Sequence, residues 1–107
     1  VREQSTAAVL AELLTVLDDI DRAKEHGEVV GGFKAVAASL DAVISKLGLE
    51  QFGEAGDRFD PNIHEALTHS ESAEVTETTC VQVFQPGYRF AGRIVRPARV
   101  GVADPAP

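Results

Sequence analysis

The chain has 107 residues, a formal net charge of −7 and a single cysteine. Its length suits about one small domain with a limited core, so a partner chain is a reasonable expectation. One thiol forms no internal disulfide, and the sequence shows neither an apolar run of about 18 residues nor a signal-peptide pattern. We therefore expect a cytoplasmic protein that has no disulfide framework and does not enter a membrane.

Charge is unevenly distributed along the chain. Residues 1–77 carry 16 of the 17 acidic residues and 6 of the 10 basic residues, whereas residues 78–107 carry one acidic residue and four arginines. Affinity for nucleic acid comes mainly from neutralising phosphates, so the acidic part argues against a nucleic-acid-binding protein. Arg89, Arg93, Arg96 and Arg99 keep that class open as an alternative, which salt-dependent binding to DNA or RNA would reveal.

Apolar residues between Val9 and Ala23 follow helical spacing and cover about half of the helix circumference. This face is wider than the seam of a two-stranded coiled coil, so we expect the helix to pack against two neighbours. Val1 already lies in the running pattern, with no capping residue ahead of it. The pattern therefore predicts that the sequence begins inside a longer helix.

A glycine-containing loop then separates this helix from a second one. Apolar residues from Phe33 to Leu47 match the amphipathic template, and Gly48 is placed to end the helix in a left-handed conformation. Two helices cannot bury two broad apolar faces alone, but two copies can do so as an intersubunit four-helix bundle. A monomeric hairpin covered by the C-terminal half is the alternative. The expected dimer interface contains Leu10, Leu13, Leu14, Leu17, Ile20, Phe33, Val36, Leu40, Val43, Ile44 and Leu47.

After Gly48 the composition changes to turn residues and short β-branched runs, which predicts a helical region over 1–48 and a compact, mainly antiparallel β domain over 49–107. Pro86-Gly87 suits a type II turn, and Ala91-Gly92 suits a tight hairpin. Residues 103–107 are expected to be a frayed tail. The predicted fold class is α+β.

The candidate chemical groups do not form a recognisable catalytic or metal motif. His64 and His69 are five residues apart, which in an extended strand places them on opposite faces, so we expect no metal site and interpret His64 as a packed or turn-stabilising residue. Cys80 lies in a β-branched run and is expected to be a buried, inert thiol. We therefore expect a protein that is not an enzyme and that has no cofactor.

Two blocks of sequence carry a family resemblance. The first reads Phe59-Asp60-Pro61-Asn62-Ile63-His64-Glu65-Ala66, and the second reads Gln85-Pro86-Gly87-Tyr88-Arg89-Phe90-Ala91-Gly92-Arg93-Ile94-Val95-Arg96-Pro97-Ala98. In order and spacing they resemble the signature of the GrpE family, the nucleotide exchange factors of DnaK-type chaperones, and the resemblance extends over essentially the whole chain. The chain departs from the usual pattern at Ala91, where asparagine is common, and at Pro86, where lysine is common.

The resemblance implies a homodimer that binds the nucleotide-binding domain of a DnaK-type chaperone, opens its cleft and releases ADP, in support of protein folding and the stress response. A factor that binds the open cleft more tightly than the closed one weakens nucleotide binding by reciprocity. A dimeric structural adaptor whose β domain docks another protein is the alternative, and an ADP-release assay separates the two. The implied partner-binding residues are Phe59, Pro61, Phe84, Arg93, Val102 and Gly32. At Gly32, in the interhelical junction, we expect a side chain to press on a tight loop or to meet a positive φ.

Overall fold

The structure is a computed structural model that describes residues 2–107, with side chains described from Gln4 onward. The predicted helical continuation at Val1 lies outside the described residues. The chain divides into two compact units, residues 1–50 and residues 51–107. We call them the helical unit and the β unit.

The helical unit contains two helices, as the apolar spacing predicts: α1 (Arg2–Glu25) and α2 (Gly31–Leu47). Gly48 has a φ of 102° and its N–H donates to the carbonyl oxygens of Ile44 and Ser45, which confirms the predicted end of α2. Five residues connect the helices, and Lys24 of α1 lines one groove together with Ala37 and Asp41 of α2. The two helices therefore form an αα-hairpin.

Each helix buries a narrow apolar stripe. On α1 the buried side chains are Leu10, Leu14 and Leu17, and on α2 they are Ala37 and Ile44. The spacings of three, four and seven residues place each set on one side of its helix. Large apolar side chains on neighbouring positions stay exposed, namely Val9, Val16, Phe33, Val36, Val43 and Leu47. A single chain thus buries only part of the broad apolar faces.

Six strands follow: β1 (Leu49–Phe52), β2 (His64–Ser72), β3 (Thr79–Gln85), β4 (Gly87–Phe90), β5 (Arg93–Arg96) and β6 (Ala98–Pro105). They form two three-stranded sheets, with strand orders β1-β4-β5 and β2-β6-β3. Strand β6 is antiparallel to β3 but parallel to β2. The α+β class with mainly antiparallel sheets is confirmed, whereas β2 and its parallel pairing were not predicted.

The core of the β unit forms around β6. Its buried members are Phe52, Cys80, Ala98, Val100 and Val102, and the partly buried side chains packed against them are Phe59, Ile63, Ala66 and Val83. Strand β6 continues to Pro105, and Thr78 Oγ1 donates a 2.6 Å hydrogen bond to Asp104 Oδ1. The prediction of a frayed tail from residue 103 is therefore wrong at its start, because the centre of a sheet holds that segment on both sides.

One predicted turn is confirmed and the other is wrong. Ala91 and Gly92 connect β4 to β5 as a two-residue hairpin, with φ values of 53° and 77° that fit a type I′ turn. Gly87, in contrast, lies extended in β4 and is buried, so it does not supply the left-handed position of a type II turn. A Cβ at Gly87 would lie 2.7 Å from Ala98 N and would overlap the Phe52 ring, so close packing requires this glycine.

Candidate partner-binding surface

A short turn of residues 60–64 ends at the first residue of β2 and presents Pro61 to solvent. The carbonyl oxygen of Asp60 accepts hydrogen bonds from the N–H groups of Ile63 (3.0 Å) and His64 (2.8 Å). Asp60 Oδ1 accepts a third from the N–H of Asn62 at 2.9 Å. Since proline has no N–H group, these bonds occupy every backbone donor that follows Asp60 in the turn.

The imidazole ring of His64 accepts a further hydrogen bond from this turn and packs against two phenylalanines. The N–H of Asp60 donates to His64 Nδ1 at 2.9 Å. The ring is only 5% exposed and stacks on Phe59 with a centroid distance of 5.8 Å, while Phe52 lies 6.3 Å away on the core side. The interpretation of His64 as a packed, turn-stabilising residue agrees with these contacts.

Bulges interrupt the sheet that carries Phe84. The register of β6 shifts against β2 between Ala66 and Thr68, and against β3 between Cys80 and Gln82 and again between Val83 and Gln85. The three residues skipped at these points, Leu67, Val81 and Phe84, are each 45–50% exposed. Because a bulge adds a residue to one strand, alternation no longer decides which face a side chain occupies.

Phe84 covers a gap in the sheet at Gly101 of β6. A Cβ built on Gly101 would lie 2.5 Å from Thr68 Oγ1 and 3.4 Å from Phe84 Cε2. The aromatic ring therefore lies over the glycine backbone, on the face of β6 opposite to the core residues Val100 and Val102. The exposed Phe84 side chain is thus held against the sheet.

Val102, unlike Phe84, is not at the surface. It is 1% exposed and belongs to the core cluster around β6. Its side chain is covered because it lies on the inner face of the central strand. Any contribution of Val102 to partner binding has to act through the residues that it supports, among which Phe59 packs on the same cluster.

The arginines of the β unit differ in their partners. Arg58 pairs with Glu77 at 3.3 Å, and Arg99 pairs with Glu65 at 3.7 Å. Arg96 donates two hydrogen bonds to the carbonyl oxygen of Pro86, and the guanidinium of Arg89 lies 4.9 Å from the Phe52 ring centroid. Arg93 is exposed at the start of β5, directly after the hairpin turn, and within residues 2–107 no side-chain hydrogen bond or ion pair holds it.

Gly32 lies in the first turn of α2 and not in the connecting loop. Its φ is not positive and a Cβ there would have no neighbour within 4 Å, so the expected crowding and strain are wrong for this residue. The positive φ of 57° belongs to Gly31. Gly32 is exposed, so its backbone is open to a partner.

The expected dimer residues fall into three groups. Leu10, Leu14, Leu17 and Ile44 are buried in the single chain, Leu13, Ile20 and Leu40 are half-buried, and Phe33, Val36, Val43 and Leu47 are 42–63% exposed. On α2, positions 33, 36, 40, 43 and 47 alternate steps of three and four residues. This is the spacing of a coiled-coil seam.

The candidate chemical groups of the β unit are Cys80, His64 and His69. Burial raises the pKa of the Cys80 thiol and Asp57 raises it further, so the thiol stays protonated and is a weak nucleophile. His64 and His69 pair with Ala98 and Val102, so the bulge at Leu67 puts them on one side of the sheet, contrary to the alternation argument. They are separated along β6 by about 13 Å, and within the described residues no group of three potential metal ligands was found.

Sequence reasoning missed the exposed apolar residues Leu67 and Val81. The only signal for them is that the β-branched and aromatic residues at 81, 83 and 84 do not keep a strict alternation. The sequence does not indicate a special role for Gly101. Its lack of a side chain matters only because the fold brings Thr68 and Phe84 close to it. No helix within residues 2–107 is long and apolar enough to span a membrane.

The helical hairpin leaves large apolar side chains exposed, and the β unit exposes further apolar and cationic side chains, which are features typical of protein-binding surfaces. The chain belongs to the GrpE family, whose model, described as GrpE, matches residues 1–104. It is 62% identical over 107 residues to Protein GrpE of Streptomyces coelicolor, covering all of this chain and 48% of that protein.

More distant relatives show the same coverage. The chain is 47% identical over 104 residues to Protein GrpE of Bifidobacterium animalis subsp. lactis, covering 97% of this chain and 45% of that protein. It is 40% identical over 103 residues to Protein GrpE of Mycolicibacterium paratuberculosis, covering 95% of this chain and 44% of that protein. The chain thus spans about half the length of these relatives.

Proposed function

We propose that this protein is a nucleotide exchange factor that binds the nucleotide-binding domain of a DnaK-type chaperone and promotes release of ADP. Family membership supports the general role. The observation on which the proposal rests is that Arg93 is exposed and makes no side-chain hydrogen bond or ion pair within residues 2–107. This guanidinium is exposed on a two-residue hairpin and has no intramolecular partner within residues 2–107. A planar cation presented in this way is suited to a bidentate contact with a carboxylate of the partner.

The apolar part of the proposed contact comes from Phe59, Pro61 and Phe84. Phe84 is 45% exposed and rests over Gly101, and Pro61 is presented by a turn whose backbone donors are bonded internally. Side chains that are already held in place lose little conformational entropy on binding. Val102 supports this surface from the core, and Gly32 contributes backbone at the first turn of α2 as a separate contact of the helical unit.

The exchange step needs no catalytic group. If the protein binds the open cleft of the chaperone more tightly than the closed, ADP-bound cleft, thermodynamic linkage requires that it lowers the affinity for ADP by the same factor. ATP binding then releases the factor by the same reciprocity. The contribution of this chain is a firm surface that favours one conformation of its partner, and no cofactor takes part.

We further propose that two copies assemble through the helical unit. The exposed seam of Phe33, Val36, Val43 and Leu47 runs beside the stripe of Ala37 and Ile44 that the hairpin already buries. A second hairpin would cover this seam and complete a four-helix bundle. The buried stripe holds each hairpin together and the exposed seam joins two of them.

Release of a fluorescent ADP analogue from a purified DnaK-type chaperone, measured with and without this protein, tests the function. We expect release to accelerate with increasing concentration of the protein and to saturate. Binding to the chaperone without any change in ADP release would identify a structural adaptor instead. Failure to bind would contradict both.

A further inference from the structure

We propose that His64 is a positioning residue for the candidate contact, because its ring holds Phe59 and Pro61 in the geometry that the partner binds. The inference rests on the proposed function. It arises from the combination of a buried imidazole, a hydrogen bond that closes the 60–64 turn, and a ring stack on Phe59.

The hydrogen bond defines the state of the imidazole ring. The backbone N–H of Asp60 can only donate, so His64 Nδ1 must present a lone pair at the 2.9 Å contact. The ring is then neutral with its proton on Nε2. Nε2 is buried and has no hydrogen-bond partner in the part of the chain that the structure describes. Turning the ring over would remove the acceptor from Asp60, so this bond selects one orientation.

The same ring connects the turn to the core. Its stacking partner Phe59 packs on the core cluster, and Phe52, whose ring centroid lies 6.3 Å from that of His64, is a member of that cluster. The residue therefore acts at two points, on the backbone at Asp60 and on the aromatic side chain just before it. Pro61 follows Asp60 directly, so its exposed ring moves with that backbone. Buried as it is, His64 does not itself reach a partner.

Two substitutions of His64 distinguish its role as a hydrogen-bond acceptor from its role as a packed aromatic ring. His64→Leu keeps an apolar side chain of moderate size but leaves the Asp60 N–H without its acceptor. His64→Asn keeps an acceptor, since Oδ1 lies close to the position of Nδ1, but loses the stack and leaves a cavity. We expect His64→Asn to melt at the lower temperature because of the cavity. We expect His64→Leu to bind the chaperone more weakly because of the freed turn.

The experiment measures ADP release from the chaperone against the concentration of the intact protein, below the melting temperature of every variant. For His64→Leu we expect the half-saturating concentration to rise by roughly tenfold, because a partly buried donor loses its partner. The maximal rate should stay unchanged, since His64 does not contact the chaperone. For His64→Asn we expect a rise of about threefold or less. Val100→Ala, a truncation in the same core cluster, is the control that should lower the melting temperature and leave half-saturation unchanged.

Each outcome decides a separate question. Half-saturating concentrations that follow the losses in melting temperature, with His64→Asn the worst, would show a purely structural histidine and overturn the inference. A parent protein without exchange activity would overturn the proposed function itself. Nitrogen-15 NMR of the free parent decides the geometry without any chaperone, since a proton on Nδ1 overturns the inference and a proton on Nε2 with a bonded Asp60 amide supports it.

Discussion

The helical unit and the β unit differ in how completely a single chain buries their apolar side chains. The β unit packs its core around one central strand, and five of its core residues are at most 1% exposed. The helical unit buries one stripe per helix and, among its described residues, leaves seven large apolar side chains exposed, namely Val9, Val16, Val30, Phe33, Val36, Val43 and Leu47. A sheet with a central strand can close a small core within one chain, whereas a two-helix hairpin has too few neighbours to do so.

The two units therefore differ in how much they depend on a second copy of the chain. The β unit can hold exposed contacts such as Phe84 and Arg93 on a frame that is complete in one chain. The helical unit, in contrast, is expected to reach its full stability only with a second copy.

The largest effect is expected inside the hairpin. Leu17→Asp places a carboxylate at a site that is 6% exposed, which should cost about 4 kcal/mol or more and unfold the helical unit. Thr15→Asp, at an exposed site of the same helix, is the matched control and should change little. Circular dichroism at 222 nm during thermal melting measures both. Equal melting curves for the two variants would contradict the assignment of Leu17 to a buried stripe.

The next effect concerns the β unit and its partner. Arg93→Ala should weaken chaperone binding by about 2–5 kcal/mol if the ion pair is desolvated, with little change in melting temperature because Arg93 holds no intramolecular contact within the described residues. Arg93→Lys should recover only part of the loss, since an ammonium lacks the planar fork of a guanidinium. Arg58→Ala removes an exposed arginine paired with Glu77 and serves as the control. A destabilised Arg93→Ala variant whose folded fraction exchanges normally would make Arg93 a structural residue.

The third prediction tests the exposed seam. Val43→Asp should leave the isolated hairpin folded but weaken dimerisation by about 2 kcal/mol per chain, because the side chain is 53% exposed in one copy and covered in the proposed bundle. Ser45→Asp adds the same charge at an exposed polar site two residues away. Sedimentation equilibrium gives the dimer dissociation constant of each variant. A parent protein that remains monomeric at all concentrations, or a Val43→Asp variant as tightly dimeric as Ser45→Asp, would contradict the bundle.

The smallest effect is a dependence of the helical unit on pH. Partial burial raises the pKa of Asp21 above its usual value of 3.8, and the neighbouring Asp18, Asp41 and Glu25 raise it further while Lys24 opposes them. The folded state therefore holds this proton more tightly than the unfolded state does. Its contribution to stability is present in acid and is lost as the pH rises from about 3.8 through the higher folded pKa.

Asp21→Asn should remove that loss and melt at a higher temperature than the parent at pH 7. Asp19→Asn, at an exposed residue that pairs with Arg22 at 3.0 Å, should not give this gain. Melting temperatures between pH 3 and pH 7 for the parent and both variants check the sign. A parent whose helical unit becomes steadily more stable from pH 4 to pH 7, relative to Asp21→Asn, would contradict the burial of Asp21.

Local rules predicted the parts of this protein that depend on neighbours in sequence. Both helices, the glycine that ends α2 and the hairpin at Ala91-Gly92 follow from spacing and turn chemistry over a few residues. The type II turn at Pro86-Gly87 was wrong because a longer-range demand, the close approach of Phe52 and Ala98, decides the conformation of Gly87. The positive φ was assigned to Gly32 and belongs to Gly31, an error of one residue.

Motifs, periodicity and composition are local properties of the chain, and they were enough to predict the family, the α+β class and a set of candidate contact residues. Which of these residues are accessible depends on the tertiary fold. The parallel pairing of β2 with β6 joins residues more than 30 positions apart, so no local pattern reveals it. That pairing buries Val102, while the bulges around it expose Leu67 and Phe84, since burial depends on which strands meet and in which register.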